Sequence, residues 1–435
     1  MNADTGDILA IDRFEIIGVI KSALTRIDPR IVEHGERVAY IVGKMLDEAG
    51  VFDRKVRKEL FILSYFHDIG AYKTDEIDRM LEFETVDGDS HSIYGYIFLK
   101  NMSPVGDCAK AILYHHTPYE ELVKTGGSDM DYAAFIAVAD RADILMSGGK
   151  RNFEVFTSLP KKFSPQIVQL FLKAEKNRDI SSSIISKDYG ESIEKRIKEY
   201  SPEDKEVIEY LKMLIYSIDF HSEQTVTHTI ITMAISVELA KRLKLSQMEI
   251  SELYIGALLH DIGKIAIPAR ILESKDALSR SDMVIMQTHA GISDEIIRGC
   301  VSDRVCDIAV RHHEKLDGSG YPRGLKARDL TVLQRIVAVA DVLSALSIDR
   351  SYKRAFKKEE IVKIISSMSE KNKLDPTICG LVLENYDGIM AIASASCAPI
   401  IEKYKNMARE YEKLSSTWPK THRVCEDGVE QSCAI

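Results

Sequence analysis

The stretch Leu258-Leu259-His260-Asp261-Ile262-Gly263-Lys264-Ile265 sets a histidine and an aspartate side by side. The chain holds a second copy of its centre, His67-Asp68-Ile69-Gly70. Each copy sits inside the same ordered series. The first half offers His34, His67-Asp68, His91, His115-His116 and Asp140; the second offers His228, His260-Asp261, His289, His312-His313 and Asp341. His34 precedes His67 by 33 positions, and His228 precedes His260 by 32. Of the 12 histidines only His221 and His422 fall outside the two series. Scattered core or surface histidines would not sort themselves this way, so the chain reads as a duplicated set of ligands.

The segments around these residues read as helices. Val226 to Leu245 repeats apolar residues at helical spacing and ends in Lys241, Arg242 and Lys244, cations that suit a helix C-terminus. Ser201-Pro202-Glu203-Asp204 has the form of a helix start, and Ser279 with Asp282 three positions on has another. Few runs alternate with period two. The expected fold class is all-α: two tandem helical bundles joined by a helical linker.

The least patterned internal stretch holds Gly148-Gly149, Ser181-Ser182-Ser183 and Gly190, and the domain junction is placed there. The expected division is a first domain over 1–150, a linker over 151–200, a second domain over 201–414 and a polar tail over 415–435. Phe163 to Lys176 is expected as a helix within the linker.

Composition bounds the partners. Of the 435 residues 45% are apolar, enough for two real cores, and the formal charge is −9. That balance argues against a sequence-independent grip on duplex nucleic acid, which needs clustered Lys and Arg. No run of about 18 apolar residues suggests a membrane span. Seven scattered cysteines, an odd number without a CxxC, suggest neither a disulfide frame nor a zinc finger. A reducing cytoplasm is the expected setting.

Imidazole suits Fe, Mn, Ni or Zn, and a carboxylate can bridge two cations. His228 and Asp341 can close a first metal site with His260 and Asp261. Asp261 can then bridge to a second ion held by His289, His312 and His313. Two metals roughly 3.5–4 Å apart activate a water and stabilise attacking and leaving oxygens.

These residues, with His312-His-Glu-Lys-Leu-Asp-Gly-Ser-Gly-Tyr-Pro322, Val339-Ala-Asp-Val342 and Asp349-Arg-Ser-Tyr-Lys353, carry a resemblance. The second half resembles the HD-GYP phosphodiesterases, a subgroup of the HD superfamily of metal-dependent phosphohydrolases, from about Tyr210 to Leu383. The resemblance implies hydrolysis of a 3′,5′-linked cyclic dinucleotide second messenger by a metal-activated hydroxide, giving the linear 5′-phosphorylated dinucleotide. Cyclic di-GMP and 3′,3′-cyclic GMP-AMP are both admitted. It implies metal ligation by His228, His260, Asp261, His289, His312, His313 and Asp341. Lys264 is expected to stabilise phosphate charge or handle the leaving group. Arg350 and Lys353, three apart on one helix face, are expected to hold substrate phosphate. Gly318 and Gly320 permit a tight loop, and Tyr321 can stack on or hydrogen-bond near a base.

Two positions depart from the family pattern. Gln224 stands where some members have a glutamate tied to a third metal, which favours two ions in this half. Ser344 stands where the family often has aspartate, three residues after the metal-binding Asp341.

The first half resembles a plain HD domain. Ala71 replaces the lysine equivalent, and Thr117-Pro118-Tyr119 replaces the glycine loop. His34, His67, Asp68 and Asp140 are a minimal ligand set, with His91, His115 and His116 as further candidates for one or two ions. Three roles stand open for this half: a 5′-nucleotidase acting on the linear product, a regulator, or a structural or dimerisation copy. For the whole chain, a non-catalytic cyclic-dinucleotide effector and a different HD chemistry are the competing readings, and a homodimer is left open.

Overall fold

The structure, a computed structural model, describes residues 16–74, 89–218, 223–272, 274, 276–348 and 355–418. Among them there is no strand, so the all-α expectation holds. Residues group into two compact units: Met1–Ile27 with Ser201–Tyr404, and Asp28–Tyr200 with Lys405–Ile435. We call these the C-terminal and N-terminal units.

Both units are built on the same plan. In the C-terminal unit the helix Glu223–Arg242 packs against Gln247–Leu259 and Val332–Ser347. In the N-terminal unit Pro29–Ala49 packs against Arg54–Tyr65 and Ser128–Ser147. Local chemistry starts these helices where it should. Ser246 and Glu249 form a capping box, as do Thr331 and Gln334, and Asp28 caps a helix that opens with Pro29. The expected Ser279 cap is present and accepts from the Asp282 amide. The helix expected from Ser201 starts instead at Asp204, and the Glu203 amide donates to the Glu206 carboxylate at 2.7 Å.

The division of the chain differs from the sequence expectation at three places. Residues 151–200 form the helices Glu154–Ser158, Pro165–Arg178, Ile180–Ser186 and Tyr189–Glu199, which pack onto the N-terminal unit. A cluster of Phe153, Phe156, Phe163 and Phe171 supplies their core, and Arg196 pairs with Asp47 at 3.0 Å. In the sequence these phenylalanines lie between Gly148-Gly149 and the Ser181-Ser182-Ser183 run, which drew the junction to this stretch. Next, the helix Ile16–Ile27 belongs to the C-terminal unit, where it buries Ile16, Ile17, Val19, Ile20 and Leu24. Finally, the last helix runs through Thr417, past the expected tail boundary, and its end belongs to the N-terminal unit. There Glu410 pairs with Lys100 at 2.6 Å, and Trp418 meets Tyr114 with ring centroids 5.4 Å apart.

That last helix, Pro376–Thr417, is long and apolar enough to cross a membrane by length and composition alone, although no span was expected. Ile378, Cys379, Val382, Ile389, Ala393 and Cys397 on it are buried within the C-terminal unit. The described cysteines form no disulfide.

One glycine in each unit sets the architecture of the centre. A Cβ on Gly263 would stand 2.0 Å from the His289 carbonyl oxygen and 2.6 Å from the Ser293 amide. A Cβ on Gly70 would stand 2.1 Å from the His91 carbonyl oxygen and 2.7 Å from the Gly95 amide. Each glycine therefore lets the helix bearing the third histidine lie directly on the His-Asp turn. We expect Gly263→Ala and Gly70→Ala each to cost about 1–3 kcal/mol through backbone displacement. Urea or thermal denaturation of the full chain measures this, and an unshifted midpoint would sink the close-approach reading.

Candidate metal centre

Several histidines of the two series lie at helix ends. His260 caps Gln247–Leu259, His289 follows Arg280–Gln287 and begins the next helix, and His312 follows Asp303–Val310. The His-Asp pair thus lies where an α-helix gives way to the 3-10 turn Ile262–Ala266, not inside a helix as the sequence suggested. The last carbonyls of a helix lack intrahelical partners. The histidine rings supply them. His260 Nδ1 donates to the Ala257 carbonyl (2.7 Å), His289 Nδ1 to Met286 (2.6 Å) and His312 Nδ1 to Ala309 (2.6 Å). In the N-terminal unit His67 Nδ1 donates to Ser64 (2.8 Å) and His115 Nδ1 to Ile112 (2.6 Å). With a proton on Nδ1, each ring in its neutral form presents the lone pair of Nε2 to the interior.

The lone pairs converge. In the C-terminal unit the ligand atoms of Asp261, His289, His312 and His313 lie within 4.8 Å of one another, as do those of His228, His260 and Asp261. Asp261 divides its oxygens between the groups. Oδ2 lies 3.3 Å from His260 Nε2 and 3.6 Å from His228 Nε2; Oδ1 lies 3.4 Å from His289 Nε2 and 3.8 Å from His312 Nε2. Asp341 closes the set, with Oδ1 3.0 Å from His228 Nε2 and Oδ2 3.3 Å from His313 Nδ1.

This arrangement fits cations. His289 Nε2 and His312 Nε2 lie 3.3 Å apart although both rings carry their proton on Nδ1. Buried His260 Nε2 and Asp261 Oδ1 have no hydrogen-bond partner. Lone pairs facing lone pairs at such distances repel, and buried acceptors without donors are costly. Imidazole and carboxylate ligands suit a divalent transition ion at each group.

The electrostatics agree. Burial pushes the His289 pKa down to about 3 and the His312 pKa well below its ordinary value, so both rings stay neutral. Burial alone would raise Asp261, but Lys264 and His260 beside it hold it well below the usual carboxylate range. The Lys264 ammonium lies 2.5 Å from Asp261 Oδ2, so this lysine does face the site, from the 3-10 turn.

The rim is held by a residue to which the sequence reading gave no role. Buried Glu314 accepts from the Arg323 amide (2.7 Å) and the Leu325 amide (2.9 Å) and anchors the glycine loop. Gly320 is required there, because a Cβ would meet the Glu314 Cα at 2.5 Å and the His313 carbonyl oxygen at 2.5 Å. Tyr321 lies against His313 with ring centroids 4.6 Å apart. Arg350, Lys353 and the side chain of Gln224 lie outside the described residues.

The N-terminal unit repeats the geometry. Asp68, His91, His115 and His116 form one group and His34, His67 and Asp140 another, and Asp68 again divides its oxygens between them. Buried His34 Nε2, His67 Nε2, His115 Nε2 and Asp68 Oδ1 have no hydrogen-bond partner. The units differ behind the first histidine. His34 Nδ1 donates to Asp143 (2.7 Å), which Arg37 holds with a 2.7 Å bond; His228 Nδ1 is hydrogen-bonded with Ser344 Oγ (2.9 Å). Burial opposes charge on His34, but the Asp140 and Asp143 carboxylates beside it outweigh it and raise its pKa to about 10. Burial lowers His228. Asp143 stands three residues after Asp140, the spacing at which Ser344 follows Asp341, and that spacing was the signal that could have found it.

Two family models match, both described as HD domain, over residues 31–145 and 212–378. The chain is a tandem HD-domain protein. It is similar to 3′3′-cGAMP-specific phosphodiesterase 1 of Vibrio cholerae, with 28% identity over 84% of this chain and 90% of that one. It is also similar to a cyclic di-GMP phosphodiesterase of Thermotoga maritima, with 38% identity over 38% of this chain and 45% of that one. This HD-domain chain thus spans less than half the length of that second relative. A solved structure of a cyclic GMP-AMP specific phosphodiesterase from V. cholerae aligns with 89% of this chain and 97% of its own, at 16% identity and a TM-score of 0.49.

The partner behind a metal-binding histidine tunes its affinity, typically by 10–100-fold. We expect Ser344→Ala to weaken binding of one Mn ion in the C-terminal unit by about tenfold or more, leaving the N-terminal unit unaffected. Mn titration of the full chain and of the variant measures this. Equal affinities would show that Ser344 does not orient His228.

Proposed function

We propose that the C-terminal unit hydrolyses a 3′,5′-phosphodiester of a cyclic dinucleotide, cyclic di-GMP or 3′,3′-cyclic GMP-AMP, to the linear 5′-phosphorylated dinucleotide. The observation that carries this reading is the division of the Asp261 carboxylate between two groups of imidazole ligands. A carboxylate so placed could bridge two divalent ions, and a two-ion site suits in-line displacement at phosphorus. Similarity to phosphodiesterases named for both cyclic dinucleotides supports the substrate class.

In this reading His228, His260, Asp261, His289, His312, His313 and Asp341 hold two divalent ions from among Fe, Mn, Ni and Zn. Such ions supply Lewis acidity toward phosphoryl oxygens and lower the pKa of water. Lys264 places a positive charge within reach of the same oxygens, where charge builds in the transition state. The 3-10 turn fixes its direction, because its backbone amide donates to the Asp261 carbonyl at 2.9 Å. Tyr321 lines the edge of the site beside His313 and offers a face to a base. Arg350 and Lys353 hold phosphate on the strength of their spacing. The N-terminal unit takes a second role, as a 5′-nucleotidase acting on the linear product or as a regulator. The setting is the cytoplasm.

The test is hydrolysis of both cyclic dinucleotides by the Mn-loaded full chain. Cleavage is expected, with loss of activity in His260→Ala/Asp261→Ala and a fall of about 10²–10³ in kcat for Lys264→Ala. No cleavage by the metal-loaded chain would overturn the proposal in favour of a nucleotide-binding effector.

A further inference from the structure

The two centres differ at one buried cation. Beside Asp140 in the N-terminal unit stands Arg141, 5% exposed; beside Asp341 in the C-terminal unit stands Val342. Arg141 Nη2 lies 3.1 Å from His116 Nδ1, and Arg141 Nε lies 3.4 Å from Asp140 Oδ2. A guanidinium only donates, so His116 Nδ1 accepts and the ring proton sits on Nε2. That nitrogen lies 3.1 Å from His91 Nε2, so the His116 proton points into the lone pair of His91. His116 Nδ1 is also 3.9 Å from Asp140 Oδ2, whereas His313 Nδ1 approaches Asp341 Oδ2 to 3.3 Å. The guanidinium has taken over the carboxylate contact that the second histidine of the pair makes in the other unit.

From this we infer that Arg141 replaces the second metal ion of the N-terminal unit and makes it a one-metal centre. The ion is held by His34, His67, Asp68 and Asp140. His91 and His116 are engaged with each other and with Arg141, so the second group keeps only Asp68 Oδ1 and His115 Nε2. Two ligands do not make a transition-metal site, and a buried guanidinium beside the position repels a further dication. The inference rests on reading the N-terminal cluster as a metal site, and it narrows the sequence expectation in which His91, His115 and His116 were ligands. The two units then differ in kind. A centre with one ion and one fixed guanidinium cannot clamp both the attacking and leaving oxygens with metal, as a two-ion centre does.

The experiment counts Mn ions by elemental analysis in the loaded full chain and in His67→Ala/Asp68→Ala. The difference is the content of the N-terminal unit, and one ion per chain is expected. His116→Ala should leave that content at one. Arg141→Val, which installs the residue type of Val342, should raise it to two. In the His260→Ala/Asp261→Ala background the remaining Mn should give an uncoupled electron paramagnetic resonance spectrum. A content of two with Arg141 intact, or a loss of the ion in His116→Ala, would overturn the inference even if Arg141→Val fails to fold. A content of zero would overturn the metal reading of this unit as well. None of these outcomes depends on whether the C-terminal unit cleaves a cyclic dinucleotide.

Discussion

The bond from each histidine Nδ1 to the carbonyl three residues before it is the constraint on which both centres depend. It satisfies a carbonyl that the end of a helix leaves open, and it decides which nitrogen faces inward. Five rings are fixed this way, His67, His115, His260, His289 and His312. Because the bond is local, the chain needs only to stop a helix at the histidine to orient the ligand. The helices can therefore vary in length and sequence while the donor atoms keep their directions. The close packing at Gly70 and Gly263 then brings those directions together.

On this shared frame the two units carry different chemistry. The C-terminal unit adds Lys264 beside Asp261 and a loop pinned by Glu314 beside the histidine pair. The N-terminal unit has Ala71 in place of the lysine. Its Thr117-Pro118-Tyr119 leads straight into the short helix Tyr119–Thr125, tied by its amides to the carbonyls of Lys161 and Lys162. The polar partners differ as well: Asp143 with Arg37 behind one leading histidine, Ser344 behind the other. The histidines and aspartates of the two series are the same in type and order, so the divergence lies in the residues around them.

That distribution explains what the sequence made legible. The ligand series announced itself because histidine is scarce and its order is repeated. The helical class followed from periodicity, and the lysine one turn beyond the His-Asp pair reaches the site as expected. Arg141 and Arg37 were not legible. A single arginine on a helix reads as a solvated charge; only the packing of Ser128–Ser147 against Pro29–Ala49 shows that Arg37 meets Asp143, and its packing against Lys110–Tyr114 that Arg141 meets His116. Glu314 was quoted within its motif without a role, because its partners are backbone amides of a loop whose path the sequence does not give. The stretch 151–200 read as a linker because it folds as four short helices, and its phenylalanine cluster joins only the first two with the turns before them. The two ends of the chain read as appendages for a different reason: the units they complete lie at the far end of the sequence.

Those crossed ends bear on how such a chain can be inherited. A segment beginning at Ser201 encodes the C-terminal series but omits Ile16–Ile27, the helix that lies on its 3-10 turn and on His289–Ile297. A segment ending at Tyr200 omits the partners of Lys100 and Tyr114. Neither half is a free cassette, and a recombination event that moved one would have to carry both termini. The two bundles follow one plan, yet the boundaries of the units do not coincide with the halves of the sequence.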